Sequence, residues 1–128
     1  MKEFTTALKG EAVTMVNITN CAATVKSGSL PVFATPMMLA LMEEATCIAC
    51  APLLDEGETT VGTRVNISHT KASGTGDVIT ATAVLESVEG RRLTFSVVAK
   101  DDKGNEVGNG EIERFVVLSE KFMKKVNG

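Results

Sequence analysis

PMMLALMEEATCIACAPLL, running from Pro36 to Leu54, is the stretch on which the fold turns. Thr35 before it suits a helix N-cap, and Pro36 suits the first helical position, where a missing N–H costs nothing. Pro52 sets the expected end. At about 100° per residue, Met38, Leu41, Met42, Ala45, Ile48 and Ala49 fall on one apolar stripe, and Glu43 shares a second sector with Leu39, Thr46, Cys47 and Cys50. Because that second sector is apolar too, the helix is predicted to be buried on nearly all sides. A carboxylate there is disfavoured unless a cation or hydrogen-bond donors oppose its desolvation. Glu43 is therefore either a salt-bridged residue at a leaky point of the helix or part of a functional site.

The remaining 128-residue composition narrows the class. The length fits one domain spanning residues 1–128, large enough to bury an independent core. A formal net charge of −3, no basic run and neither Trp nor Tyr argue against a nucleic-acid groove. The N-terminal MKEFTTALKGEAVTMV lacks the apolar core of a signal peptide, and no charge-free stretch reaches membrane-spanning length. A cytoplasmic protein without membrane contact is expected. Cys21, Cys47 and Cys50 read as reduced core residues. With one histidine in the chain and Cys21 remote, neither a zinc site nor a redox pair is expected from Cys47 and Cys50.

Around the helix the pattern alternates. An opening strand is expected at roughly 5–16, followed by the irregular NITNCAATVKSGSLPVFA. After the helix and a DEGE turn come four alternating segments. Val61, Thr63, Val65, Ile67 and His69 are predicted to share one inward row. Ile79, Ala81, Ala83 and Leu85 form another, turning at Glu89-Gly90 into Leu93, Phe95, Val97 and Ala99. A DDKGN turn leads to a last strand ending RFVVL, then to a short charged helix at 119–126. Gly108 and Gly110 suggest a bulge or a close backbone approach. The fold class is α+β, one long helix under a curved antiparallel sheet of about five strands. Val78, Val84 and Val88 on the outer rows point to cover from a partner subunit.

Taken together, VFATPMMLALMEEA, VGTRVNISHT, LESVEGRRL, GNGEIERFVV and LSEKF resemble the fluoroacetyl-CoA thioesterase group of hotdog-fold proteins, over roughly 32–126. The resemblance implies a homodimer with acyl-CoA sites at the subunit interface, and it leaves open whether two dimers pair into a dimer of dimers. By position it implies catalytic roles for Thr35, Glu43 and His69, and substrate contacts from Gly62, His69 and Arg114. It implies no metal and no cofactor beyond the coenzyme A carried by the substrate.

Those residue types suit thioester hydrolysis, which needs a nucleophile or activated water, a proton carrier and donors for an oxyanion. Thr35 could equally be only an N-cap, Gly62 only a bulge, and Arg114 only a cross-strand partner of Glu111 or Glu113. Eight helical residues separate Thr35 from Glu43 by about 12 Å, so a site using both is expected to draw on two chains. The fluoroacetyl-specific enzymes carry a phenylalanine-bearing lid before the VFAT motif, where this chain has KSGSLP. The expected substrate is accordingly a short or medium acyl-CoA. A non-catalytic acyl-CoA binder and a hotdog enoyl- or hydroxyacyl-thioester hydratase are the alternatives.

Overall fold

A computed structural model describes residues 1–4 and 7–128. In chain order it contains β1 (Lys9–Met15), a short α1 (Ala22–Val25), α2 (Thr35–Cys50) ending in a 3-10 turn (Ala51–Leu53), β2 (Glu58–His69), β3 (Val78–Glu89), β4 (Arg92–Asp101), β5 (Glu106–Leu118) and α3 (Ser119–Asn127). The five strands form one antiparallel sheet in the order β1-β3-β4-β5-β2, curled over α2. The hotdog architecture expected from the sequence is present. The start of the opening strand expected at 5–16 falls partly outside the described residues.

The core lies between α2 and the inner face of the sheet. Met38, Leu41, Met42, Ala45 and Ala49 meet the inward rows Ile79–Leu85 of β3 and Leu93–Ala99 of β4, all buried. Gly10 lets β1 approach the helix closely, since a Cβ there would collide with the Ala45 carbonyl and the Ala49 amide. Gly108 gives way to Met38 in the same manner, a Cβ falling 2.5 Å from its Sδ. By length and a hydropathy of 1.3, Thr35–Leu53 also has the composition of a membrane-crossing helix. Its apolar stripe is accounted for by packing under the sheet.

Several expectations are corrected. Ile48 is 46% exposed, because it sits beside Gly10 of the edge strand β1 and reaches past the sheet's rim. Cys47 is exposed while Cys21 and Cys50 are buried; all three are free thiols. Val88 packs against the core instead of lying on the outer row, because the register shift between Leu85 and Ser87 turns the strand over. The row from Val61 to His69 is broken for the same reason. A register shift between Gly62 and Arg64 leaves Val65, Ile67 and His69 opposite Ile112, Gly110 and Gly108, while Val61 pairs with the exposed Phe115.

Candidate active site

The entry to α2 is tied down on both sides. The Phe33 amide donates to the Ser73 carbonyl at 2.9 Å and the Ala34 amide to the Asn20 carbonyl at 3.0 Å. Asn20, itself buried, donates to the Met15 carbonyl and accepts from the Asn17 amide. Ala34 is the N-cap, with extended backbone, and it receives no side-chain cap. The expectation that Thr35 caps the helix is thus corrected: Thr35 opens it, and its hydroxyl is engaged elsewhere.

That engagement is with His69, whose Nδ1 lies 2.8 Å from Thr35 Oγ1. The end of β2 is fixed by amides of Thr70 and Lys71 donating to the Val107 carbonyl. Phe33 stands edge-on to the imidazole, with centroids 6.4 Å apart and planes at 80°. His69 Nε2 is buried and has no hydrogen-bond partner among the described residues. Burial pushes the imidazole below its ordinary range, opposed by the main chain of Lys71. The ring is therefore neutral at neutral pH and able to accept a proton. Thr35 and His69 open onto a cleft of about 500 Å³, walled by Phe33, Lys71 and the Ser27–Leu30 segment.

A second cluster forms farther along the helix. Arg114 is 6% exposed, on the inward row of β5 between Ile112 and Val116. Its Nε donates to Thr60 Oγ1 at 2.9 Å, Nη2 to the Thr60 carbonyl at 3.1 Å and Nη1 to Glu43 Oε2 at 3.2 Å. Glu43 keeps 36% of its side-chain surface open. Gly62 is the floor beneath it, since a Cβ there would stand 2.7 Å from Glu43 Oε2 and 3.5 Å from Arg114 Nη1. Arg114 pairs with Glu43, 71 residues away in sequence, and with neither Glu111 nor Glu113.

Of the five residues singled out in the sequence, the structure brings Thr35 to His69, and Glu43 to Gly62 and Arg114. It does not join the two groups within one chain. Thr60 and Phe33 were missed by sequence reasoning. The available signals were a polar residue two positions before Gly62 on its row, and a ring in the motif that positions Thr35.

Comparison with known proteins matches residues 16–120 to the family model described as fluoroacetyl-CoA-specific thioesterase. The fluoroacetyl-CoA thioesterase of Streptantibioticus cattleyicolor is 48% identical over 95 residues, covering 74% of this chain and 68% of that protein. A variant of the fluoroacetyl-CoA-specific thioesterase FlK, solved with fluoroacetate and CoA, superposes with a TM-score of 0.85 at 38% identity, covering 91% of this chain and 95% of that one. A thioesterase superfamily member from Thermus thermophilus gives a TM-score of 0.91 at 26% identity, covering 99% and 93%.

Proposed function

The chain belongs to the fluoroacetyl-CoA-specific thioesterase family, and we propose that its active site is assembled from two copies, each contributing one of the two clusters. The protein is an acyl-CoA thioesterase, a thioester hydrolase. The observation that carries the composite site is the placement of both clusters on the inner face of one strand. Gly62 and His69 lie at separate points of β2, an edge strand whose central residues Thr63 to Asn66 are exposed. A 12-residue strand with an open edge is a template for pairing. Antiparallel pairing of two copies of β2 about an axis between Val65 and Asn66 sets Gly62 opposite His69 of the partner subunit. Glu43 and Arg114 of one chain then face the partner's Thr35 and the partner's His69 across a shared cleft.

In that arrangement the thioester carbonyl lies between unlike groups. Glu43, held by Arg114, either deprotonates the water that attacks the carbonyl carbon or attacks that carbon itself, forming an anhydride that water then hydrolyses to the free acid. The Gly62 amide faces the developing oxyanion. The C–S bond breaks, and neutral His69, hydrogen-bonded to Thr35, relays the proton that the water gives up to the departing thiolate, leaving CoA thiol. The segment Ser27-Gly28-Ser29-Leu30 lines the cleft without a ring, its largest apolar side chain Leu30 being 62% exposed. This supports a short or medium acyl group over fluoroacetyl. Free thiols at Cys21, Cys47 and Cys50 fit a cytoplasmic location.

The test is complementation. Thr35→Ala and Glu43→Ala chains, each inactive alone, are co-expressed with different tags and the mixed dimer isolated. Recovery of about half the wild-type rate per dimer is expected; a verified mixed dimer without thiol release would refute the shared site. A panel of acyl-CoAs then reads selectivity, and a strong preference for fluoroacetyl over acetyl would refute the substrate assignment.

A further inference from the structure

Thr60 is the one buried residue of β2, and it is polar. Valine would fill that position with no hydroxyl to satisfy, so the oxygen is retained for a partner. The partner is Arg114, whose fork straddles the residue: Nε donates to Thr60 Oγ1 at 2.9 Å and Nη2 to the Thr60 carbonyl at 3.1 Å. Two acceptors on one residue thus fix the plane of the guanidinium. Nη1 is the nitrogen left over, and it is the one that reaches Glu43 Oε2. A guanidinium can only donate, so Thr60 Oγ1 accepts, and its own proton is free for Cys50 Sγ, 4.0 Å away. The Cys50 thiol donates in turn to the Cys47 carbonyl at 3.6 Å. Burial pushes that thiol above its ordinary range, so it stays protonated and neutral. From Arg114 the donors therefore run outward both ways, to Glu43 on one side and through Thr60 and Cys50 on the other, and both ends are anchored on α2.

We propose that Thr60 is a positioning residue for thioester hydrolysis: by clamping Arg114 it aims Nη1, and through it the Glu43 carboxylate, at the reacting carbonyl. The proposal rests on the reading of Glu43 as the group that acts on the thioester, and adds the residue that sets its aim. Glu43 depends on such support. Its side chain is 36% open, and Arg114 is the one hydrogen-bond partner of its carboxylate among the described residues. A guanidinium free to turn about its long side chain would let that carboxylate drift, and small displacements of a reacting group are costly in rate. Thr60 itself lies beneath Arg114 and away from solvent, so it acts only through its neighbour.

If Thr60 merely satisfied a buried arginine, its loss would cost stability and leave turnover alone, and the test separates the two. Thr60→Val keeps the shape and removes the acceptor, whereas Thr60→Ser keeps the acceptor. Thiol release from a short acyl-CoA is measured well below each variant's melting temperature. We expect kcat to fall about tenfold or more in Thr60→Val, with KM within about twofold of wild type because the side chain does not reach the substrate. Thr60→Ser should restore kcat to within about threefold of wild type. Should Thr60→Val not fold, Thr60→Cys, whose sulfur is the weaker acceptor, takes its place with the same expected loss. In an Arg114→Met background no guanidinium remains to be aimed, so Thr60→Val should lower the residual kcat no further. A further loss there equal to that in wild type would overturn the proposal, since the effect would not pass through Arg114. Glu43→Gln is assayed alongside. If it loses turnover while Thr60→Val retains wild-type kcat, whatever its melting temperature, the positioning role is refuted and the reading of Glu43 stands. Wild-type turnover by Glu43→Gln would overturn both.

Discussion

The two clusters on β2 solve the same problem by opposite means. The Thr35–His69 cluster is uncharged: a hydroxyl and a neutral imidazole, with burial holding the proton off the ring. The Glu43–Arg114 cluster is ionic, and a buried guanidinium with three donors fixes a half-open carboxylate. The first is tuned for exchanging a proton, the second for holding a charge in place. Reaction at a thioester carbonyl needs both, and the contrast explains why removing a member of either should be costly in a different way.

The largest expected effect comes from neutralising the charged half. Glu43→Gln preserves shape and the hydrogen-bonding reach towards Arg114, yet should lower kcat about a thousandfold, measured as thiol release from acyl-CoA. Wild-type turnover by this variant would erase the distinction between the halves. His69→Ala should cost about a hundredfold or more in kcat; a comparable loss in Thr35→Ala would mark the pair as one unit, whereas additive losses would separate them. Arg114→Met leaves Glu43 and the Thr60 hydroxyl without their partner, so both activity and stability should fall, the latter by about 2 kcal/mol. Denaturant unfolding reads that loss, and unchanged stability would mean the guanidinium is dispensable to the fold. Gly62→Ala should reduce kcat about tenfold or more by displacing the carboxylate, with little change in melting temperature.

The smallest effect is on pH dependence. In the proposed reaction neutral His69 is the working form, and because its folded value lies below the ordinary 6.5, the acid limb of kcat/KM should fall below that pH. Stability carries the same sign. As pH drops through the ordinary value the unfolded chain protonates first, so this histidine increasingly destabilises the fold on acidification and contributes nothing above that value. An acid limb at or above 6.5 would show that the ring is more solvated than its surroundings indicate.

How much of this was legible in the sequence depended on regularity. β3 and β4 could be read because Ile79 to Leu85 and Leu93 to Ala99 alternate without interruption against a single helix. β2 could be read as a strand but its inward row only from Val65 to His69, because a bulge leaves no mark in hydropathy and an edge strand has exposed residues on both faces. The α2 stripe was visible except at Ile48, whose exposure depends on where β1 stops. Within the proposed site, Thr35, Glu43 and His69 were singled out by the resemblance of the motifs that hold them. The partnership of Glu43 with Arg114 was hidden by a separation of 71 residues. An arginine in register with Ile112 and Val116, however, is a cation in an inward row, and such a residue calls for a buried anion.

The bulge at Gly62/Arg64 sets a rule on chain length. Gly62 and His69 are seven positions apart, an odd interval that on an unbroken strand would send them to opposite sides. The single supernumerary residue corrects the phase. Excising it would rotate the imidazole outward without altering any side chain of the proposed site, so length variation that the hairpin at Gly90 can absorb is forbidden in this strand.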